Sequence, residues 1–274
     1  TFVLIPVAAF AGLLIFKTGA VAQERARIEV ERFSRAIATQ QDQQIRGIRN
    51  LLIGISQFAE FKSHDVEGCD HTLALLLERA NAPTAYYYNF GIADLDGNIF
   101  CTAIPSKYAV NIADRYYFQR AIQTRSFAIG EYQIGRITGK ESINLGYHIT
   151  DEMGGVQFVI FAAVSIDAHH ANAARAREPG TPTLIVLDRN GTVVLSAEHR
   201  EEVGTPFRYH RDIHRSEGGS FFGTGFDGVE HIFGYTLLPS GAPEEHLHLV
   251  VGIPLTQIYN FIEQETVRYS EYFF

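Results

Sequence analysis

Cysteine, tryptophan and clustered positive charge are what this 274-residue chain has least of: two cysteines, no tryptophan, and a net charge of -8 with no basic run. The missing basic cluster excludes nucleic acid as a partner, because its phosphates must be met by grouped Lys and Arg. Cys69 and Cys101 are too few for a disulfide scaffold and lack the grouping of a zinc site. They leave two possibilities, a single bridge in an oxidising compartment or two buried thiols. Catalytic signatures are missing as well: no G-x-S-x-G elbow, no phosphate loop and no dinucleotide glycine pattern occurs. Neither catalysis nor a cofactor is expected. His210 and His214, His169 and His170, and His246 and His248 stand close in sequence, but no third ligand accompanies any pair, so solvated faces are expected and no metal site.

What is present begins with residues 1–16, which carry no charge and one proline. About 20 apolar residues cross a bilayer, so 1–17 is expected to be a transmembrane helix whose beginning lies upstream. A secretory signal fits less well, for want of a basic start and a cleavage site. Residues 18–62 are expected to form one long stalk helix, since Ala26, Val30, Phe33 and Ile37 follow 4-3-4 spacing and Ile48, Leu52, Ile55 and Ala59 resume it. A narrow apolar stripe of that length predicts packing on a partner helix, hence a homodimer through the stalk. Its second half fits equally well a helix lying on its own domain.

A first folded unit is expected over residues 63–168. It opens with a short helix holding Leu73, Leu75, Leu76 and Leu77, preceded by a loop with Cys69. Asp96 and Gly97 are a hairpin signal between strands over 85–94 and 98–104, the second carrying Cys101. A bridge between the two cysteines would contribute roughly 3 to 4 kcal/mol through loop closure. Asp114 is placed to cap a helix over 115–123, and strands are expected over 141–150 and 156–166 with a turn at 151–155. A helical connector over 169–177 ends at Pro179.

A second unit, over 169–254, repeats the first: residues 184–195, LIVLDRNGTVVL, lie over 90–101, FGIADLDGNIFC. Each hairpin is followed by a helix-bearing stretch and two more strands. Two tandem α+β domains follow, each an antiparallel sheet with flanking helices. Residues 255–274 are expected to form a helix leading back to the membrane.

This order of elements resembles the double Cache sensor, a PAS-like extracytoplasmic module of bacterial transmembrane receptors. The residues that carry the resemblance are Asp114, Arg115, Tyr116, Tyr117 and Phe118 with Ala121, the run YQIGRITGK over 132–140, and Val251, Gly252, Ile253 and Pro254 near the end. It implies a small-molecule pocket in the membrane-distal unit, 63–168, and transmission through the proximal one. Amino-acid binders of that family are similar at Arg115, Tyr117, Phe118, Ala121, Tyr132 and Asp167, where the arginine meets a carboxylate, aromatic residues form walls and the aspartate meets an amine. A planar guanidinium suits a carboxylate and aromatic faces suit a cation on chemical grounds alone. Tyr117 stands where those binders carry tryptophan, and Phe118 where they carry tyrosine, which leaves a carboxylate- or amine-bearing metabolite as the ligand class. Ser142 and Asn144 share a strand face and are candidates for the same pocket. Each candidate also has a structural reading: Arg115 in a surface ion pair, Tyr117, Phe118 and Tyr132 as core aromatics, Asp167 as a helix cap. The implied whole is a periplasmic sensor anchored in the bacterial inner membrane, controlling a histidine kinase, diguanylate cyclase or chemotaxis output. A membrane-anchored protein-interaction module without a small ligand is the alternative.

Overall fold

The structure is a computed structural model that describes residues 4–62, 66–82, 85–168, 182–213, 217–240 and 247–257, with the side chains of 4–20 among those left out. It opens with helix α1, Leu4–Ile55, followed by α2, Ala59–Lys62, and α3, Val66–Ala80. A first sheet is built from β1, Tyr87–Ala93, β2, Ile99–Thr102, β3, Ala128–Ile134, β4, Glu141–Thr150, and β5, Val156–Ser165, with helix α4, Tyr116–Thr124, between β2 and β3. A second contains β6, Thr183–Leu187, β7, Val193–Ser196, β8, Gly218–Thr224, β9, Glu230–Leu237, and β10, His248–Pro254. All pairings are antiparallel, in the orders β2-β1-β5-β4-β3 and β7-β6-β10-β9-β8. The two orders are the same, so the repeat seen in the sequence is a repeat of topology. Among the described residues each unit has five strands, one more than the hairpin and two further strands expected, because β3 and β8 pair at the sheet edge.

The repeat extends to single hydrogen bonds. Asp94 Oδ1 accepts from the backbone N–H of Asp96 and Asn98 at 3.0 and 2.8 Å, and Asp188 Oδ1 accepts from Asn190 and Thr192 at 2.9 Å each. These carboxylates close the β1–β2 and β6–β7 turns, where Gly97 and Gly191 take φ of 85° and 79°. Further along, Ile112 N donates to Gly97 O as Phe207 N donates to Gly191 O, which makes Ile112 and Phe207 equivalent.

Helix α1 lies on one face of both sheets, in contact with β8, β9 and β10 and with β4 and β5. Val30, Ser34, Ala38 and Asp42 form its buried edge in the first half, and Ile48, Leu52 and Ile55 in the second. Phe33, expected on the apolar stripe, is exposed. Gly234 of β9 allows the helix this close, since a Cβ there would stand 2.5 Å from Val30 O. Polar ties fix the crossing: Ser220 Oγ donates to Glu31 at 2.7 Å, and Ser240 to the buried Asp42. The helix thus lies on its own sheets, and it ends at Ile55 rather than running on to 62. Among the described residues no helix is long and apolar enough to cross a membrane. The expected connector over 169–177 and most of the terminal helix over 255–274 lie outside the described residues.

Cys69 and Cys101 form a disulfide with Cα atoms 6.0 Å apart. Cys69 sits within α3 rather than in a preceding loop, so the bridge fastens that helix to the β1–β2 edge. Asp70 Oδ1 supports it by accepting from Thr102 N at 2.7 Å.

Candidate functional site

The sheet face away from α1 belongs, in the first unit, to α4 and the β3–β4 loop. Asn89 and Gly91 on β1, Asn144 and Gly146 on β4, and Phe161 and Ala163 on β5 point to this side, since cross-strand partners share a face: Asn89 and Asn144 both stand opposite Ala163. Tyr117 is laid against them. Gly130 and Gly146 make this possible, because a Cβ at either would come within 3.1 Å of the tyrosine ring. The ring is fully buried, 5.9 Å from that of Phe161, and its hydroxyl accepts from Asn144 Nδ2 at 3.3 Å. Burial pushes the Tyr117 phenol up to about 12.

Beside Tyr117 opens a cavity of about 340 Å³, mouth included, lined by Asn89, Ile99, Val110, Ile112, Arg115, Tyr117, Gln133, Gly135, Arg136, Ile137, Thr138, Asn144, Phe161 and Ala163. Two guanidinium groups reach it, in different states. Arg136 is gripped in a two-pronged pair by Asp114 at 2.7 and 2.8 Å and also donates to Asn111 O. The Arg136 hydrogen bonds hold the Asp114 carboxyl below the ordinary aspartate range. Arg115 has no carboxylate partner among the described residues; the one hydrogen bond of its guanidinium there is to Ile134 O at 3.3 Å. Asp114 therefore does not cap α4: the N-cap residue is Arg115, without a side-chain cap, because the aspartate is committed to Arg136.

Of the seven expected site residues, Arg115, Tyr117 and Asn144 line this cavity together. Ser142 stands behind it, buried, donating to Asn144 Oδ1 at 2.9 Å. Phe118 is buried under α4 with Ile112, Ala121 and Val159, a core role. Tyr132 is on the other face, where its hydroxyl donates to Glu141 at 2.6 Å and its ring meets Gly204 of the second unit. Asp167 is also apart, accepting from Tyr88 at 2.6 Å and paired with Arg200 at 2.7 Å. Gln133, Arg136 and Thr138, of the run 132–140 that carries the resemblance, line the cavity without having been expected as ligand contacts, and so does Asn89. Strand parity from Gly91 could have found Asn89.

A second, wider cavity, about 630 Å³ with its open mouth counted, lies between α1 and the two sheets, lined by aliphatic side chains such as Ile48, Leu145, Val164, Val186 and Leu195, with Gln41 and Gln44 at one side.

No family model and no curated protein sequence matches the chain. Solved structures do. The extracellular domain assigned to histidine kinase rpHK1S-Z16 aligns over 86% of this chain and 96% of its own, with a TM-score of 0.70 at 18% identity. The ligand-binding domain of Pseudomonas fluorescens chemoreceptor CtaA, in complex with L-isoleucine, aligns over 90% and 99%, with a TM-score of 0.69 at 13% identity. That of the Pseudomonas aeruginosa amino acid chemoreceptor PctB, in complex with L-Gln, aligns over 90% and 97%, with a TM-score of 0.63 at 11% identity. The chain has the double Cache fold. Within the double Cache frame the first unit supplies α4, the β3–β4 loop and the cavity between them. The second unit shortens the helix to one turn, His210–Ile213.

Proposed function

We propose that the chain is the extracytoplasmic sensor region of a membrane-anchored signalling receptor, and that a small carboxylate-bearing metabolite binds in the first, membrane-distal unit. The observation that carries this reading is Arg115: a half-buried cation without a carboxylate partner among the described residues, on a cavity shared with Tyr117 and Asn144. Its guanidinium is free to take a carboxylate in two-pronged fashion, and Asn89 and Asn144 offer amides to the rest of the molecule. Asp114, next to Arg115 in the chain, is paired with Arg136, and Asp167 lies elsewhere. An ammonium group therefore lacks an anionic partner here, which favours organic acids over amino acids, although CtaA and PctB are solved with amino acids. A polar-lined cavity weighs against the alternative of a protein-interaction module without a small ligand. Binding would bias the packing of α1 on the two sheets and so a cytoplasmic output of histidine kinase, diguanylate cyclase or chemotaxis type, the receptor acting as a dimer through α1.

The test is a thermal-shift screen of the full chain against organic acids and amino acids, repeated with Arg115→Ala. Ligand at a hundred times its dissociation constant adds about 2.7 kcal/mol. A shift with an organic acid that disappears in Arg115→Ala is expected. Failure across the panel, or a shift that survives the substitution, overturns the reading.

A further inference from the structure

The second unit has its own small pocket, about 310 Å³ only when its open mouth is counted, and it sits where the repeat places the first. Thr183 on β6 stands opposite Gly252 and Gly252 opposite Phe233, as Asn89 stands opposite Ala163 and Ala163 opposite Asn144. Phe207 replaces Ile112, and the β8–β9 loop with Gly225 replaces the β3–β4 loop with Gly135. The position is the same and the chemistry is not. Where the first cavity has the amide of Asn144, the second has the ring of Phe233; where the first has the Ser142 row, the second has His231.

His231 is 1% exposed, and its Nδ1 is matched to the carbonyl of Val229 at 2.9 Å. A carbonyl only accepts, so Nδ1 carries a proton, and Nε2 is the ring nitrogen turned toward Asp227. Asp227 Oδ2 stands 3.7 Å from Nε2, beyond hydrogen-bond reach. Asp227 Oδ1 is occupied by Val229 N, at 3.0 Å. The carboxylate and the ring nitrogen thus stand side by side without a direct hydrogen bond, at a separation that a single N–H donor can bridge. Phe207, Phe226 and Phe233 supply the surrounding wall. Glu198 and Glu201 flank His199 at the rim, and Arg208, the one lining arginine among the described residues, is exposed.

We propose that this cavity is a second ligand site, for a small primary ammonium cation held between Asp227 and His231 against the phenylalanine rings. An N–H donor with positive charge meets the carboxylate and the ring nitrogen at once, and aromatic rings favour a cation in their midst. The site is independent of Arg115 and would let one chain respond to an acid and an amine separately.

Calorimetric titration of the full chain at pH 8 with methylammonium and ethanolammonium, against sodium chloride of equal ionic strength, tests it. Saturable binding is expected, weakened about tenfold or more in Asp227→Asn by loss of a charge-assisted bond, and unchanged in Arg115→Ala. Tetramethylammonium, which has the charge without an N–H, is expected not to bind. Asp227 is partly exposed, so Asp227→Asn should fold. As a second readout, the His231 ring signals in NMR should move with the amine in the unsubstituted protein. Absence of binding, equal binding of tetramethylammonium, binding indifferent to Asp227→Asn or lost in Arg115→Ala, or ring signals that do not respond would each overturn the assignment.

Discussion

Tyr117 shows how one side chain is made by its neighbours. Two glycines on adjacent strands remove the Cβ atoms that would hold its ring off the sheet, and Asn144 gives its hydroxyl a partner. The same burial opposes ionisation, so the phenol is raised from 10.0 to about 12 in the folded chain. A group whose pKa is raised on folding stabilises the fold fully below its unfolded value, and that stabilisation is lost as pH rises through the folded one. Between pH 10 and 12 stability should fall in part because Tyr117 must keep its proton. Tyr117→Phe is expected to cost about 1 kcal/mol at neutral pH, for one lost hydrogen bond, and to flatten the alkaline decline. Urea unfolding midpoints across that range, with phenolate absorbance followed in parallel, check both. An alkaline decline as steep in Tyr117→Phe as in the parent would count against it.

Between elements, the junction of the two units is held by charge. Arg200, on the 3-10 turn Arg200–Glu202, reaches Glu141 at the start of β4 and Asp167 just after β5. Hydrogen bonds from Tyr88 and then Arg200 lower the Asp167 carboxyl; at Glu141 burial pushes upward, but Tyr132 and Arg200 prevail and the net shift is down. Lowered carboxylates contribute stability above their unfolded pKa and lose it as pH falls through the folded one. Arg200→Met is therefore expected to cost about 1–2 kcal/mol at neutral pH, between the exposed and buried pair ranges, and the difference from the parent should vanish in acid. Chemical denaturation at neutral and acid pH measures it, and a difference that persists in acid would sink the idea. This junction was hidden from sequence reading for a local reason. A bulge between Ile129 and Tyr132 shifts the face of β3, so alternation counted along the strand fails at Tyr132. Asp167 stands beyond the last β5 residue, where strand parity no longer says where a side chain points. Arg115, Tyr117 and Asn144 were legible because a motif and an uninterrupted strand position them.

For the whole molecule, the fold was legible because the sequence says it twice: FGIADLDGNIFC and LIVLDRNGTVVL place two hairpins that each begin a sheet of the same order. The course of α1 was less legible, because its buried edge includes Ser34 and Asp42, which a search for apolar spacing passes over. That helix decides whether the two units act as one body. A single apolar cluster runs from Val30 of α1 with Ile232 and Leu249 of the second sheet to Ile48 and Leu52 of α1 with Phe90 and Ile160 of the first. Burial shared in this way makes the loss of one unit expensive for the other, since opening either sheet exposes the helix face it covers. Leu52, fully buried on the first-unit side, is the probe. Leu52→Ala is expected to cost about 2–5 kcal/mol, transfer and cavity together. Calorimetry should show one transition before and after, moved to lower temperature as a whole. If instead the variant splits into two transitions and only the first moves, α1 does not couple the sheets, and a signal from the first unit would have to reach the second through Arg200 and its partners alone.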